Sequence, residues 1–151
     1  RKKLSTAAKI EAVFAMTHPD QLIPALGDPL PEVRFLAAWV VGQHRLTRAI
    51  PSLLAALDDV VDHVRGAAAL ALGRMQAHVA FGPLVAALGD PSPLARMLAS
   101  RALLHLGDDR AVDPLLACVK DDDFWVRVSA ARAAGRLKEN DPMLFREAWD
   151  F

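Results

Sequence analysis

Two stretches of nine residues decide the fold: LGDPLPEVR, residues 26–34, and LGDPSPLAR, residues 88–96. They lie 62 residues apart, and midway between them stands LDDVVDHVR, residues 57–65. One further step of 31 residues gives VKDDDFWVR, residues 119–127. Arg34, Arg65, Arg96 and Arg127 therefore recur at a spacing of 31, and so do Asp28, Asp59, Asp90 and Asp121. A fixed period of this length marks a helical solenoid, in which no unit buries its apolar faces alone and stacked units share one continuous core.

Each unit reads as two short antiparallel helices. After each ladder arginine comes a small-residue run: RFLAAWVVG, RGAAALALG, RMLASRALL and RVSAARAAG. Gly42, Gly73 and Gly135 are expected to close three of these helices, while Leu104 breaks the pattern and sends its helix on to Gly107. Before each aspartate lies a second apolar run (LIPAL, LLAAL, LVAAL, LLACV), with Leu22, Leu53, Leu84 and Leu115 in register. Pro83 and Pro114 match and Pro51 is one place off, all suited to a first helical turn, where no N–H partner is lost. In the second unit the helices are expected near Pro51–Leu57 and Asp62–Gly73, with Leu57 in the core. Ser92 and Asp123 read as N-caps, whereas Leu30 and Val61 occupy the same place with no capping group. Ala37, Ala68, Ala99 and Ala130 are small enough for close helix approach. The expected whole is one domain over 1–151, with a capping helix at 4–17 (Ile10, Val13, Phe14, Thr17) and four repeats over 20–137. A second capping helix is expected at 141–150, carrying Leu144, Phe145, Ala148 and Trp149.

Composition narrows the function. The chain is 53% hydrophobic and formally neutral, with 18 basic and 18 acidic residues, which argues against broad electrostatic nucleic-acid binding. One cysteine, Cys118, allows no internal disulfide and fits a reducing, cytoplasmic setting. Asp, Arg or Gly interrupts every apolar run well short of a membrane span. The chain begins without Met, which reads as a fragment of something longer.

The charged ladders look chemical, but four equal copies point to a structural job: capping, loop bonding or pairing with the next unit. His18, His44, His63, His78 and His105 include no pair at i, i+4 and none followed by Glu, so no metal site is expected. Cys118, in LLACV, has no basic neighbour to activate it. No catalytic residue and no cofactor site are assigned. The informative positions are those that vary while the core repeats. One place after the ladder arginines stand Phe35, Gly66, Met97 and Val128; five places after, Trp39, Leu70, Arg101 and Arg132; nine places after, Gln43, Arg74, His105 and Arg136. These offsets share one helix face, expected to look into a groove. Trp125, two places before Arg127, is expected to join its rim.

An aspartate, then Val-Arg, then an Ala-rich helix ending Leu-Gly, as in DHVRGAAALALG (62–73), with DDRAVDPLLACV (108–119), resembles the HEAT-like repeats first associated with phycobilisome lyases. The resemblance covers about residues 20–137 and implies an all-α, right-handed α-α superhelix with the second helices lining the concave side. Repeats of this kind occur in lyase subunits, scaffolds, regulators and DNA-repair proteins, so the resemblance does not fix a function. The expectation is a non-catalytic interaction module that holds a protein segment on its concave face. Phe35, Trp39, Leu70 and Met97 are expected to anchor apolar groups; Arg74, Arg101, His105, Arg132 and Arg136 supply a basic end for an acidic stretch. Aromatic, Met and Arg side chains are enriched in such surfaces. The competing expectations are that Phe35 and Trp39 pack on the capping helix, that the basic stripe binds nucleic acid, or that the chain is a lyase-type subunit.

Overall fold

The computed structural model describes residues 3–15 and 18–139. Thr17 and the expected helix at 141–150 lie outside them. Every regular element among the described residues is helical. The α-helices are α1 (Thr6–Ala15), α2 (Pro19–Ala25), α3 (Pro31–His44), α4 (Ile50–Ala56), α5 (Asp62–Arg74), α6 (Phe81–Ala87), α7 (Pro93–Leu106), α8 (Val112–Ala117) and α9 (Phe124–Glu139). Single 3-10 turns lead into α4, α6 and α8 at Thr47–Ala49, His78–Ala80 and Asp109–Ala111. Helices α2/α3, α4/α5, α6/α7 and α8/α9 pack as pairs; α3, α5, α7 and α9 stack in succession, and α1 packs on α3. This is an all-α solenoid.

The four ladder aspartates set the turn inside each pair. The carboxylate of Asp28 accepts the Leu30 N–H at 2.9 Å, and Asp59–Val61, Asp90–Ser92 and Asp121–Asp123 repeat that bond at the same length. Such a turn holds the N-cap backbone from two residues upstream, so α3 and α5 start at Leu30 and Val61 with no capping side chain. Ser92 occupies the N-cap position but its hydroxyl does not cap; it donates to Asp62 of the preceding unit at 2.8 Å. Asp123 does cap, accepting the Val126 N–H at 3.0 Å.

The arginines tie unit to unit. Arg34 donates from Nε and Nη2 to the two carboxylate oxygens of Asp59 at 2.8 and 3.1 Å, while its Nη1 reaches the carbonyl of Asp28 at 2.8 Å. Arg65 grips Asp90 at 2.8 and 2.9 Å, and Arg96 grips Asp121 at 2.9 and 3.0 Å, each across 25 residues. A bidentate Arg–carboxylate pair combines directionality with charge, and these pairs are largely shielded from solvent. The hydrogen bonds from Arg65 hold the Asp90 carboxyl below its ordinary value against the opposing effect of burial. Burial pushes Asp59 and Asp121 upward, but the hydrogen bonds from Arg34 and Arg96 and from backbone N–H groups outweigh it, so both end lowered.

Packing follows the register. Leu22, Leu53, Leu84 and Leu115 from the first helices, and Ala37, Ala68, Ala99 and Ala130 from the second, are completely buried. Leu57, expected in the core, is only half-buried, because the fully enclosed position of its helix is Leu53. In α1, Val13 faces inward while Phe14 is 64% exposed, so the capping helix uses a narrower face than its spacing suggested. Gly42, Gly73 and Gly135 do not end their helices, which run on to His44, Arg74 and Glu139. A Cβ on Gly42 would stand 2.8 Å from Ala71, and one on Gly73 would stand 2.4 Å from the Ala102 carbonyl. These two glycines are close-approach points between α3 and α5 and between α5 and α7. Gly107 does close α7, at φ 73°, as expected.

Candidate functional site

At the interface between α7 and α9 the register position held by Gly42 and Gly73 is Leu104. Leu104 lines a groove of about 400 Å³. Helix α5 contributes Arg74 to this groove; α7 contributes Met97, Arg101, Leu104 and His105; α9 contributes Trp125, Val128, Ser129, Arg132 and Arg136. Its walls thus come from second helices. Of the ten side chains expected to contact a partner, Arg74, Met97, Arg101, His105, Trp125, Arg132 and Arg136 meet here.

The other three do not line it. Trp39 lies beside it, half-buried, with the Arg74 guanidinium 4.8 Å above its ring; this cation–π contact links α3 to the groove wall. Phe35 lines a separate, mainly apolar pocket of about 380 Å³ with Pro31, Leu36, Val61 and His63. Leu70 is 2% exposed and so cannot anchor a partner. The glycine contacts on both sides of α5 draw α3 and α7 close, and Gly66 lets Leu98 of α7 lie over the same helix. Leu104, Val128 and Ser129 were not among the expected site residues, although Val128 shares the offset of Phe35 and Met97. The signal for Leu104 was its departure from the glycine register; Ser129 gave none.

The described lining of the groove gathers four arginines around His105. Burial and the charges of Arg74, Arg101 and Arg132 push the His105 imidazole below its ordinary value, favouring its neutral form. Burial and the charges of Arg136 and Arg101 lower Arg132 as well, although a guanidinium remains charged. Among the described lining residues there is no carboxylate. Trp125, 56% exposed, packs edge-on against Phe124 at 5.2 Å between ring centroids. A cluster of guanidiniums beside an exposed indole, a thioether and two aliphatic side chains suits a ligand that is acidic at one end and apolar at the other.

Other reactive groups are occupied or inert. Asp62 accepts from the Ser92 hydroxyl at 2.8 Å and meets His63 Nδ1 at 2.6 Å, so the carboxylate sits between the serine and the imidazole. The Cys118 thiol is half-buried, donates to the Pro114 carbonyl at 3.5 Å, and is pushed up by burial. Among the described residues no three His, Cys, Asp or Glu side chains are grouped to hold a metal ion. No described helix is long and apolar enough to cross a membrane.

Comparison with known proteins places this architecture. The family model for HEAT repeats matches residues 19–103 and 81–144. Among curated proteins, none matches the sequence. Among solved structures, the complex of CpcE and CpcF of phycocyanin lyase from Nostoc sp. PCC7120 contains a chain similar in fold. Its TM-score is 0.62 at 22% sequence identity, over 85% of this chain and 68% of that one. With the family model spanning most of its length and the aspartate–arginine ladder joining its units, this chain belongs to the HEAT-repeat family.

Proposed function

We propose that the chain is an interaction module whose groove between α7 and α9 takes a segment of a partner protein, acidic beside an apolar anchor. One observation carries this reading: side chains that vary between repeats converge on a single groove that mixes four arginines with Trp125, Met97, Leu104 and Val128. Arginine and tryptophan are the side chains that most often dominate binding energy when gathered in one patch. In this reading Arg101 and Arg74 orient carboxylates of the partner, and Trp125 and Met97 receive its apolar side chain. No covalent step is involved.

The test is selection of peptides from a random displayed library on the intact chain. The expected winners carry Asp or Glu within a few residues of a large apolar side chain. Arg101→Glu and Trp125→Ala are each expected to weaken the selected peptides by about tenfold or more while leaving helical content unchanged. Peptides of no charge preference, or equal binding to both variants, would overturn the reading.

A second reading follows from the likeness in fold to the phycocyanin lyase complex: that this chain is one subunit of a two-solenoid lyase-type assembly. Its distinguishing outcome is chromophore transfer to an apo-phycobiliprotein that requires a second subunit and is lost in the same groove variants.

A further inference from the structure

The pocket beside Phe35 and the groove between α7 and α9 occupy the same place in the repeat, two units apart. Phe35 and His63 of the pocket stand 62 residues before Met97 and Trp125 of the groove. The pocket is walled by the N-terminal turns of α3 and α5 and lies inside the stack, with α1 packed on α3 and α7 on α5. At the intervening α5–α7 interface this level is filled. The register position of Phe35 and Met97 is there Gly66, and Leu98 Cδ1 sits where a Cβ on it would stand. Helix α5 therefore raises no side chain at that position between the two cavities.

The cavities differ in charge. The groove gathers Arg74, Arg101, Arg132 and Arg136, with no carboxylate among its described lining residues. The pocket has neither Lys nor Arg among its described lining residues; it has Glu32, which is exposed, and His63, whose Nδ1 meets the Asp62 carboxylate at 2.6 Å. Its apolar wall is Phe35, Leu36 and Val61, each resting on the core from one side. An apolar side chain fits this wall, and beside Glu32 a cation is favoured and an acid repelled.

We propose that one extended partner segment occupies both cavities: its acidic stretch and first apolar anchor in the α7–α9 groove, and a second apolar anchor, with Lys or Arg beside it, in the Phe35 pocket. This rests on the reading of the groove given above and adds a second anchor, its spacing and its charge. Packed helices lie about 8–10 Å apart, so two steps along the stack come to about 20 Å. An extended chain covers that distance in about six residues. The partner is thus polarised along its sequence, acidic around one anchor and basic around the other.

The experiment selects binders from a displayed library of random peptides long enough to reach both cavities, on the intact chain. The expected winners carry Asp or Glu beside one large apolar residue, and a second large apolar residue with Lys or Arg beside it about five to seven positions away. Phe35→Ala is expected to weaken them about tenfold, and to leave unchanged the binding of the same peptides cut short before the second anchor. Glu32→Arg, at an exposed position that leaves the core untouched, is expected to weaken them about three- to tenfold. Selection repeated on Glu32→Arg is expected to keep the second apolar residue and lose the preference for Lys or Arg beside it. Winners with the acidic element and no second anchor at a fixed spacing, or a second anchor indifferent to both variants, would overturn this proposal and leave the groove reading standing. Winners without the acidic element would overturn both.

Discussion

The ladder edge and the groove face both use arginine, in opposite settings. On the ladder, arginine meets aspartate in fixed pairs, every guanidinium posture repeats, and the carboxylates are matched one to one through three rungs. In the groove, Arg74, Arg101, Arg132 and Arg136 come together around His105 with no described carboxylate in the lining. The repeated cations hold neighbouring units together; the unrepeated ones share a groove with no carboxylate among its described lining residues. In a stack of translated units, a residue that recurs serves the stack, and the proposed recognition rests on residues that depart from the period.

The largest effects are expected where the stack itself is cut. Leu53→Ala, at a completely buried position, is expected to cost about 3 kcal/mol. Arg65→Met strands the Asp90 carboxylate and is expected to cost a similar amount, about 3 kcal/mol. Urea denaturation measures both. Next come the glycines. Gly73→Ala pushes a methyl into the Ala102 backbone and is expected to cost about 1–3 kcal/mol. Gly66→Ala meets only the flexible end of Leu98 and gains helix propensity, so its net effect is expected within about 0.5 kcal/mol of zero. A Gly66 variant as damaging as the Gly73 variant would show that the two sites pack alike.

Acid sharpens the contrast. Asp59, Asp90 and Asp121 have folded values lowered from the ordinary one. The unfolded chain therefore binds more protons, the rung stabilisation is complete above the ordinary carboxylate value, and it is lost as pH falls through the lowered folded values. Stability is expected to be flat above about pH 5 and to drop below about pH 4. In Arg65→Met the drop is expected to be shallower, as thermal melts across that range would register. The smallest effect is in the groove. Arg101→Gln removes one of the cations that lower His105, so the imidazole is expected to titrate higher, toward its ordinary value, in an NMR pH series. An unchanged His105 would mean that Arg101 contributes nothing beside burial and the charges of Arg74 and Arg132.

Most of the fold was legible in the sequence because the period is a one-dimensional signal: the spacing of Asp, Arg and Leu fixes the pairs, and Gly107 marks a true helix end. The misreadings share a cause. Gly42 and Gly73 look like helix stops locally, yet they answer to Ala71 and Ala102, about thirty residues away. Ser92 looks like a cap, yet its hydroxyl goes to Asp62, thirty residues earlier. Leu70 shares an offset with Trp39, Arg101 and Arg132, but its helix is squeezed from both sides, which no count within one unit reveals. Seven of the groove's lining residues were legible as positions that vary between repeats, while Leu104 showed itself only as a leucine in a glycine's register position.

The division of labour between ladder and groove is tested most directly by urea denaturation of Arg65→Met beside Arg101→Gln. The account expects the first to lose about 3 kcal/mol and the second to match the parent within about 0.5 kcal/mol. Equal losses in the two variants would contradict it, since the groove arginines would then be holding the stack as well.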